Sequence, residues 1–253
     1  MAAMPTSVVE GVSNLSAKLR KYYRFSGSEL GGLIITILCL SLIIGAGFDT
    51  GAEFDFSLWL FNLFNSMIIV TLSLLVHETA HRLYALAIGY AVETEIFLYG
   101  LLGGIVLSIM TYGKLPFLPA GTIRVKMLEG QRLGYFRYHL NVFSIGIIAL
   151  MGPLSNLVLA IFFKALSFIQ GPLIEKAIFI NIVLAVTNIL PLPFMDGGSV
   201  MYGSRPLYAL TAGMIVSCSL LIFFTPVLIA VLGSLALGIG CLMIYFFVSG
   251  EFL

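Results

Sequence analysis

The sequence is poor in charged residues, and this scarcity limits what kind of protein it can be. Asp, Glu, Lys and Arg make up 10% of its 253 residues, whereas hydrophobic residues make up 60%. An ordinary soluble domain has about 25% charged and roughly 45–50% apolar residues. The composition therefore excludes an ordinary cytosolic enzyme and a disordered chain. The net charge of +1 also provides no basic surface, so no nucleic-acid partner is expected.

Cysteine is equally scarce. The three cysteines, Cys39, Cys218 and Cys241, are an odd number, and each lies inside an apolar run. They form no CxxC pair, which argues against both a disulfide framework and a cysteine-bound metal site. We interpret them as small apolar residues in the interior of a membrane protein. The composition as a whole predicts an integral membrane protein that contacts the lipid bilayer.

Long apolar runs predict an all-α polytopic membrane protein with about six transmembrane helices, because about 20 mostly apolar residues cross a bilayer as a helix. The last apolar stretch has no charged residue and is long enough for two spans. The turn between these two spans is expected either at Thr225-Pro226 or at Gly233-Ser234. The predicted spans are residues 31–48, 57–91, 140–166 and 173–190, followed by two spans within residues 207–248.

The connection between the second and third spans is the longest segment that we predict outside the membrane. Residues 92–96 and 122–127 alternate apolar and polar side chains, and a further β-like run follows the Gly103-Gly104 pair and covers residues 105–110. Alternation of this kind is typical of strands, and the segments between these runs contain turn-forming residues. We therefore expect a small β-rich segment within the connection 92–138.

The distribution of basic residues predicts the orientation in the membrane, because short cytoplasmic loops are enriched in Lys and Arg. Four basic residues shortly precede the first span, whereas the loop at residues 49–55 has three acids and no basic residue. The N-terminus is therefore expected in the cytoplasm, in a multi-pass protein of a prokaryotic plasma membrane. The predicted divisions are a cytoplasmic N-terminal tail, residues 1–30, and a membrane domain, residues 31–253.

Within the second span, His77, Glu78 and His81 form the pattern HExxH. Histidines at positions i and i+4 share one helix face and reach one metal ion, and the glutamate between them is placed to take a proton from water. The pattern also occurs by chance in proteins without a metal. Here it holds two of the three histidines of the chain, in an apolar helix where unpaired polar groups are costly to bury. We therefore predict a metal site, toward the cytoplasmic side.

Two further residues near this motif have competing interpretations. Arg82 follows the motif directly, and we interpret it as an anchor at the membrane interface rather than as a partner of the site. His139 is the third histidine of the chain, and it lies at a predicted membrane interface, where histidines are usually not ligands. It is the less favoured candidate for a third metal ligand.

The favoured third ligand is Asp196, since a catalytic zinc generally has three protein ligands and one open position. Asp196 follows the fourth span in a segment with two prolines and two glycines, which indicates a broken helix. Irregular backbone within a membrane is tolerated where it is buried in protein or lines a wet cavity. An acid in such a break is either a metal ligand or the cap of the next helix, and we favour the ligand.

Together these segments resemble the site-2 protease family of intramembrane zinc metalloproteases. The family has HExxH on one transmembrane helix and the pattern Asn-x-x-Pro-x-Pro-x-x-Asp-Gly on a later one, which residues 188–197 match without a gap. Residues 152–156 also resemble its Gly-Pro-x-x-Asn element. The resemblance covers about residues 74–198, within a protease-like core at about residues 57–200.

The resemblance implies one Zn²⁺ per chain, held by His77, His81 and Asp196, with Glu78 as the general base. It also implies that Asn156 and Asn188 assist contact with the substrate or the transition state, although buried asparagines in helix bundles often only join helices. The implied activity is that of an intramembrane zinc metalloendopeptidase, which cuts transmembrane protein substrates within or near their membrane segments in regulated intramembrane proteolysis. The sequence indicates no oligomeric state.

Two alternatives belong to other functional classes. A broken helix with an acid at membrane depth is also how secondary transporters bind ions, so an ion or metal transporter or channel is one alternative. The sequence has no evident inverted repeat, and transport gives no reason for the glutamate inside HExxH. The other alternative is a catalytically silent relative that binds membrane proteins without cutting them.

Overall fold

A computed structural model describes residues 8–45, 55–128, 140–168 and 171–250 of the chain. Within these ranges the chain is mainly helical, with one small two-stranded sheet. The helices, in chain order, are α1 (Val8–Tyr22), α2 (Gly27–Gly45), α3 (Phe56–Ile88), α4 (Leu98–Met110), α5 (Val142–Ala165), α6 (Pro172–Asn188), α7 (Asp196–Gly203), α8 (Arg205–Phe224) and α9 (Val227–Ser249), and the strands are β1 (Tyr90–Glu95) and β2 (Thr122–Met127).

Five of the described helices are long and apolar enough to cross a membrane, namely α2, α3, α5, α8 and α9. The all-α polytopic fold is thereby confirmed. The predicted fourth span corresponds to α6, which has 17 residues and is slightly shorter than these five helices. The turn between the last two helices lies at Thr225-Pro226, whereas Gly233-Ser234 lies inside α9, so the second of the two alternatives is wrong.

Large apolar side chains cover the outer faces of these helices. Ile34 on α2, Phe61 on α3 and Ile244 on α9 are each more than half exposed. A soluble protein rarely exposes apolar patches of this extent, because contact of such a surface with water is unfavourable. Lipid chains solvate this surface without that cost, which agrees with a multi-pass membrane protein.

The helix that carries the HExxH motif is unusually long and is fixed at both ends. It has 33 residues, which corresponds to about 50 Å at 1.5 Å per residue. Asp55 caps its N-terminus by accepting bonds from the backbone of Ser57 and Leu58. Gly89 ends it in a left-handed conformation with φ of 91°, which glycine adopts without strain. The motif therefore lies in the last third of a rigid element.

The core is formed where α3, α5 and α6 meet. Leu184 and Ala185 on α6 are fully buried and belong to two adjoining apolar clusters. One cluster joins α6 to α2 and α3 through Leu40 and Val70, and the other joins it to α5 and α8. Because the second half of α6 is buried against neighbouring helices, the segment that follows it is held at a fixed position inside the protein.

The sheet consists of β1 and β2, which pair antiparallel with Val92 opposite Val125. The predicted strands at residues 92–96 and 122–127 correspond to these two elements. The predicted β-like run at 105–110 is wrong, since these residues belong to the helix α4. A short apolar run without regular polar positions has no period that separates a strand from a helix. Packing between helices favours the helical conformation of this run, because Gly104 lets α4 approach Ile43 on α2 closely.

Some sequence predictions fall outside the described residues. The candidate ligand His139 and most of the acidic loop 49–55 belong to this group.

The last two helices pack closely through small residues. A Cβ at Gly213 on α8 would lie 2.7 Å from the Cys241 sulfur on α9. Likewise, a Cβ at Gly238 would lie 2.8 Å from the carbonyl oxygen of Leu210. Close backbone approach of this kind is a common way for helices to associate within membranes.

Replacing Gly238 by leucine is expected to destabilise the protein, because the added side chain would collide with the α8 backbone. Overpacking typically costs about 1–3 kcal/mol, so the thermal midpoint in detergent should fall. The matched control is Gly240→Leu on the same helix, where a Cβ would meet no atom within 4 Å. Equal midpoints for the two variants would contradict this packing.

Candidate metal centre

His77 and His81 lie one turn apart on α3 and bring their Nε2 atoms within 3.1 Å of each other. Both side chains are buried, at 1% and 0% exposure. This proximity follows from the helix itself, because residues at i and i+4 share one face. Two buried acceptor nitrogens at this separation form one side of a site that favours a cation between them.

Asp196 completes the group from a different part of the chain. Its Oδ2 atom lies 3.1 Å from His77 Nε2 and 3.6 Å from His81 Nε2. The position of Asp196 depends on the break between α6 and α7, which contains Pro191 and Pro193. At the end of the break a Cβ on Gly197 would overlap the carbonyl of Ile189, so only glycine allows this close return.

The start of α7 bears on the interpretation of Asp196 as a helix cap. Asp196 is the first residue of α7, and the capping position belongs to Met195, which forms no side-chain cap bond. The carboxylate instead points toward the two histidines. A role as helix cap is therefore wrong, and the position agrees with a metal ligand.

The spacing of the three donor atoms fits a tetrahedral metal. Ligand bonds of 2.0–2.1 Å at tetrahedral angles place neighbouring ligand atoms about 3.3 Å apart. The observed separations are 3.1 Å, 3.1 Å and 3.6 Å. Within the described residues Asp196 Oδ2 is buried and accepts no hydrogen bond, which leaves it available to a cation. Two imidazoles and a carboxylate are ligands typical of zinc.

Gly152 on α5 keeps the space beside the donor atoms open. A Cβ at this position would lie 2.5 Å from His77 Nε2 and would also overlap His81 Nε2. Real Cβ atoms essentially never approach so closely, so any other residue here would displace the histidines. The glycine of the Gly-Pro-x-x-Asn element therefore has a steric role at the site itself.

The tautomer of His81 is set by the backbone of α5. His81 Nδ1 lies 2.7 Å from the carbonyl oxygen of Ile148. Because a carbonyl only accepts, Nδ1 carries the proton and Nε2 keeps its lone pair for the metal. Pro153 on the same helix has no N–H to donate, so the backbone hydrogen bonds of α5 are interrupted close to the Ile148 carbonyl.

Asn156 has the same function for His77. Its side-chain amide nitrogen lies 3.2 Å from His77 Nδ1. In this orientation of the amide, Asn156 Oδ1 has no hydrogen-bond partner among the described residues. In the opposite orientation of the amide, Oδ1 accepts the proton of His77 Nδ1 and satisfies both groups. Asn156 is fully buried, and its described contact is with the proposed ligand His77; a contact with substrate stays a prediction.

Asn188 has a different environment. It accepts a bond from the backbone N–H of Ala120 and donates to the carbonyl oxygens of Leu118 and Leu184. These bonds join the end of α6 to the segment that leads into β2. The described contacts of Asn188 are thus with backbone groups, and a contact with substrate stays a prediction.

Glu78 is buried beside the histidines and is held by two neighbours. Its Oε2 atom accepts a bond from Arg82 Nη1 at 2.8 Å and another from the hydroxyl of Thr94 on β1. Arg82 is only 3% exposed and also pairs with Glu29 at 2.8 Å. The interpretation of Arg82 as an interfacial anchor is therefore wrong.

Glu29 is a charged residue of this region that sequence reasoning missed. The available signal was an acid near the start of an apolar span, where a buried charge requires a partner. Its partner Arg82 lies far away in the sequence, so no local pattern joins the two residues.

Comparisons with known proteins agree with this chemistry. No family model matches the chain, and no solved structure matches it significantly. A protein of Methanocaldococcus jannaschii named "Putative zinc metalloprotease" is 29% identical to the chain over 208 residues. The similarity covers 80% of this chain and 98% of that protein. This similarity and the His-His-Asp group together support a zinc metalloprotease.

Replacing Asn156 by leucine is expected to weaken zinc binding about 10- to 100-fold, because His77 loses the group that fixes its ring. Competition with a chromophoric chelator measures this affinity. The control is Asn181→Leu, since Asn181 is equally buried but bonds to Ala177 in its own helix. A similar loss of affinity in both variants would contradict a specific role of Asn156.

Replacing Gly152 by alanine is expected to lower the zinc content of the purified protein, because the new methyl group would displace both histidine rings. Metal analysis by mass spectrometry gives the content per chain. Ser155→Ala, three residues further on α5, is the control, since the Ser155 hydroxyl bonds only within that helix as far as the structure describes it. Full zinc content in Gly152→Ala would contradict the close approach of α5 to the two histidines.

Proposed function

We propose that the protein is an intramembrane zinc metalloprotease of the site-2 protease type, which hydrolyses peptide bonds within or near transmembrane segments. The observation that carries this proposal is the buried triangle of His77, His81 and Asp196 between membrane-length helices. The relative from Methanocaldococcus jannaschii supports the protease class through its name. We assign one zinc ion per chain to the triangle.

The reaction uses residues on α3 that lie side by side. Zinc, when bound, polarises the peptide carbonyl and makes water more acidic, toward a pKa of about 7. Glu78, next to His77, accepts the proton of the attacking water. The same carboxyl group then delivers the proton to the leaving amine, so the residue returns to its starting state.

An apolar groove favours a substrate that arrives from the lipid. The groove has a volume of about 420 Å³ and lies between α3 and α5, lined by Val76, Ala80, Leu154 and Val158 among others. Val76 directly precedes His77, so the groove runs along the helix that carries the motif. We propose that side chains of a transmembrane substrate occupy this groove. We also propose that the protein lies in a prokaryotic plasma membrane, with its site facing the cytoplasmic side.

Replacing Glu78 by glutamine is expected to abolish cleavage while zinc stays bound. Glutamine keeps an acceptor for Arg82 but cannot take a proton, and a general base contributes roughly 10²- to 10⁴-fold to the rate. The measurement is cleavage of a model transmembrane substrate by purified protein, with zinc content determined on the same samples.

The control for this experiment is Glu93→Gln, which changes an acid that is exposed and paired with Lys126 on the neighbouring strand. Equal cleavage by wild type and Glu78→Gln would contradict the mechanism. Zinc without cleavage in the wild type would favour the silent relative, and wild-type protein without metal would favour the transporter.

A further inference from the structure

Arg82 lies between two carboxylates from different helices. Its Nη1 atom donates to Glu78 Oε2 and its Nη2 atom donates to Glu29 Oε1, each at 2.8 Å. All three side chains are less than one tenth exposed. The start of α2 is thereby joined, through one guanidinium group, to the acid of the HExxH motif.

Backbone hydrogen bonds hold the Glu29 carboxylate in place. Glu29 Oε1 also accepts the backbone N–H of Thr94 at 2.9 Å, and Oε2 accepts the backbone N–H of Ser26 at 2.7 Å. The ring of Phe25 covers the guanidinium, with its centre 4.1 Å from the central carbon of Arg82. Arg82 consequently has one well-defined place in the protein.

Thr94 closes the network on the side of the sheet. Its hydroxyl accepts a bond from Arg82 Nη2 at 3.2 Å and donates to Glu78 Oε2. Both described bonds to the Glu78 carboxylate therefore end on the same oxygen. Oε2 of Glu78 is thus occupied by Arg82 and Thr94, which leaves Oε1 of the same carboxylate to exchange a proton with water.

We propose that Arg82 is a positioning residue that fixes the orientation of the Glu78 carboxylate, and that Glu29 holds Arg82 in place. The role rests on the proposed function, since it concerns Glu78 as the group that moves the proton. Arginine suits it because its planar fork presents two donors in fixed directions, one to each carboxylate. A lysine would supply the charge but not the two fixed directions.

The test is steady-state cleavage by full-length Arg82→Gln and Arg82→Lys, with zinc content and thermal midpoint measured on the same preparations. Misplacing a catalytic group by a fraction of an ångström to one ångström lowers turnover about 10- to 100-fold. We expect kcat per zinc-loaded molecule to fall by that factor in Arg82→Gln, while KM changes less than about twofold. Arg82→Lys should recover part of the loss.

Glu29→Gln is the milder second variant, because glutamine still accepts bonds from Arg82 and Thr94 and so preserves the fold. We expect it to lower kcat, and to add little when combined with Arg82→Gln, because both changes act through the same path. The matched control is Arg124→Gln, which breaks an exposed 2.7 Å pair with Glu95 and should leave kcat unchanged.

The outcomes separate the two levels of the proposal. If zinc-loaded wild-type protein cleaves no membrane substrate, the proposed function fails and the role of Arg82 fails with it. If the wild type cleaves and the Arg82 variants keep full kcat per zinc-loaded, folded molecule, only the positioning role is overturned. A lowered midpoint without that loss of kcat would show that the network merely joins α2 to α3.

Discussion

The structure depends on one constraint, which is that three buried donor atoms from two distant segments meet within 3.1–3.6 Å in an apolar interior. Helix geometry brings the two histidines together, whereas Asp196 requires the break after α6. Gly152 leaves room beside the donors, and Gly197 lets the chain return closely past the end of α6. The two glycines therefore each have a steric explanation at the candidate metal site.

Several other buried polar groups beside the donor atoms have partners, and these partners extend the site. His81 is oriented by a backbone carbonyl and His77 by Asn156. The acid of the motif is held by Arg82 and Thr94, and the arginine is balanced by Glu29. Removing one partner from a buried ion pair is strongly unfavourable, so Arg82 and the two carboxylates hold one another in place. The network joins α2, α3 and β1 around the Glu78 carboxylate.

Local patterns predicted the parts of this architecture that depend on neighbours in sequence. The i,i+4 histidines, the two alternating strands and the long apolar helices all belong to this class. Packing between distant elements decided the rest. Residues 103–110 form a helix because they lie against α2, and Arg82 is buried because Glu29 reaches it from another helix. Neither fact has a signal within a short window of sequence.

X-ray absorption at the zinc edge of the purified protein in detergent, together with metal analysis, tests the proposed metal site directly. The expected result is one zinc per chain, with a spectrum of two imidazoles and oxygen ligands at about 2.0–2.1 Å. Loss of the imidazole signal on changing His77 or His81 would identify the ligands. A sulfur shell at about 2.3 Å, or a spectrum without imidazole, would contradict the site on which the whole interpretation rests.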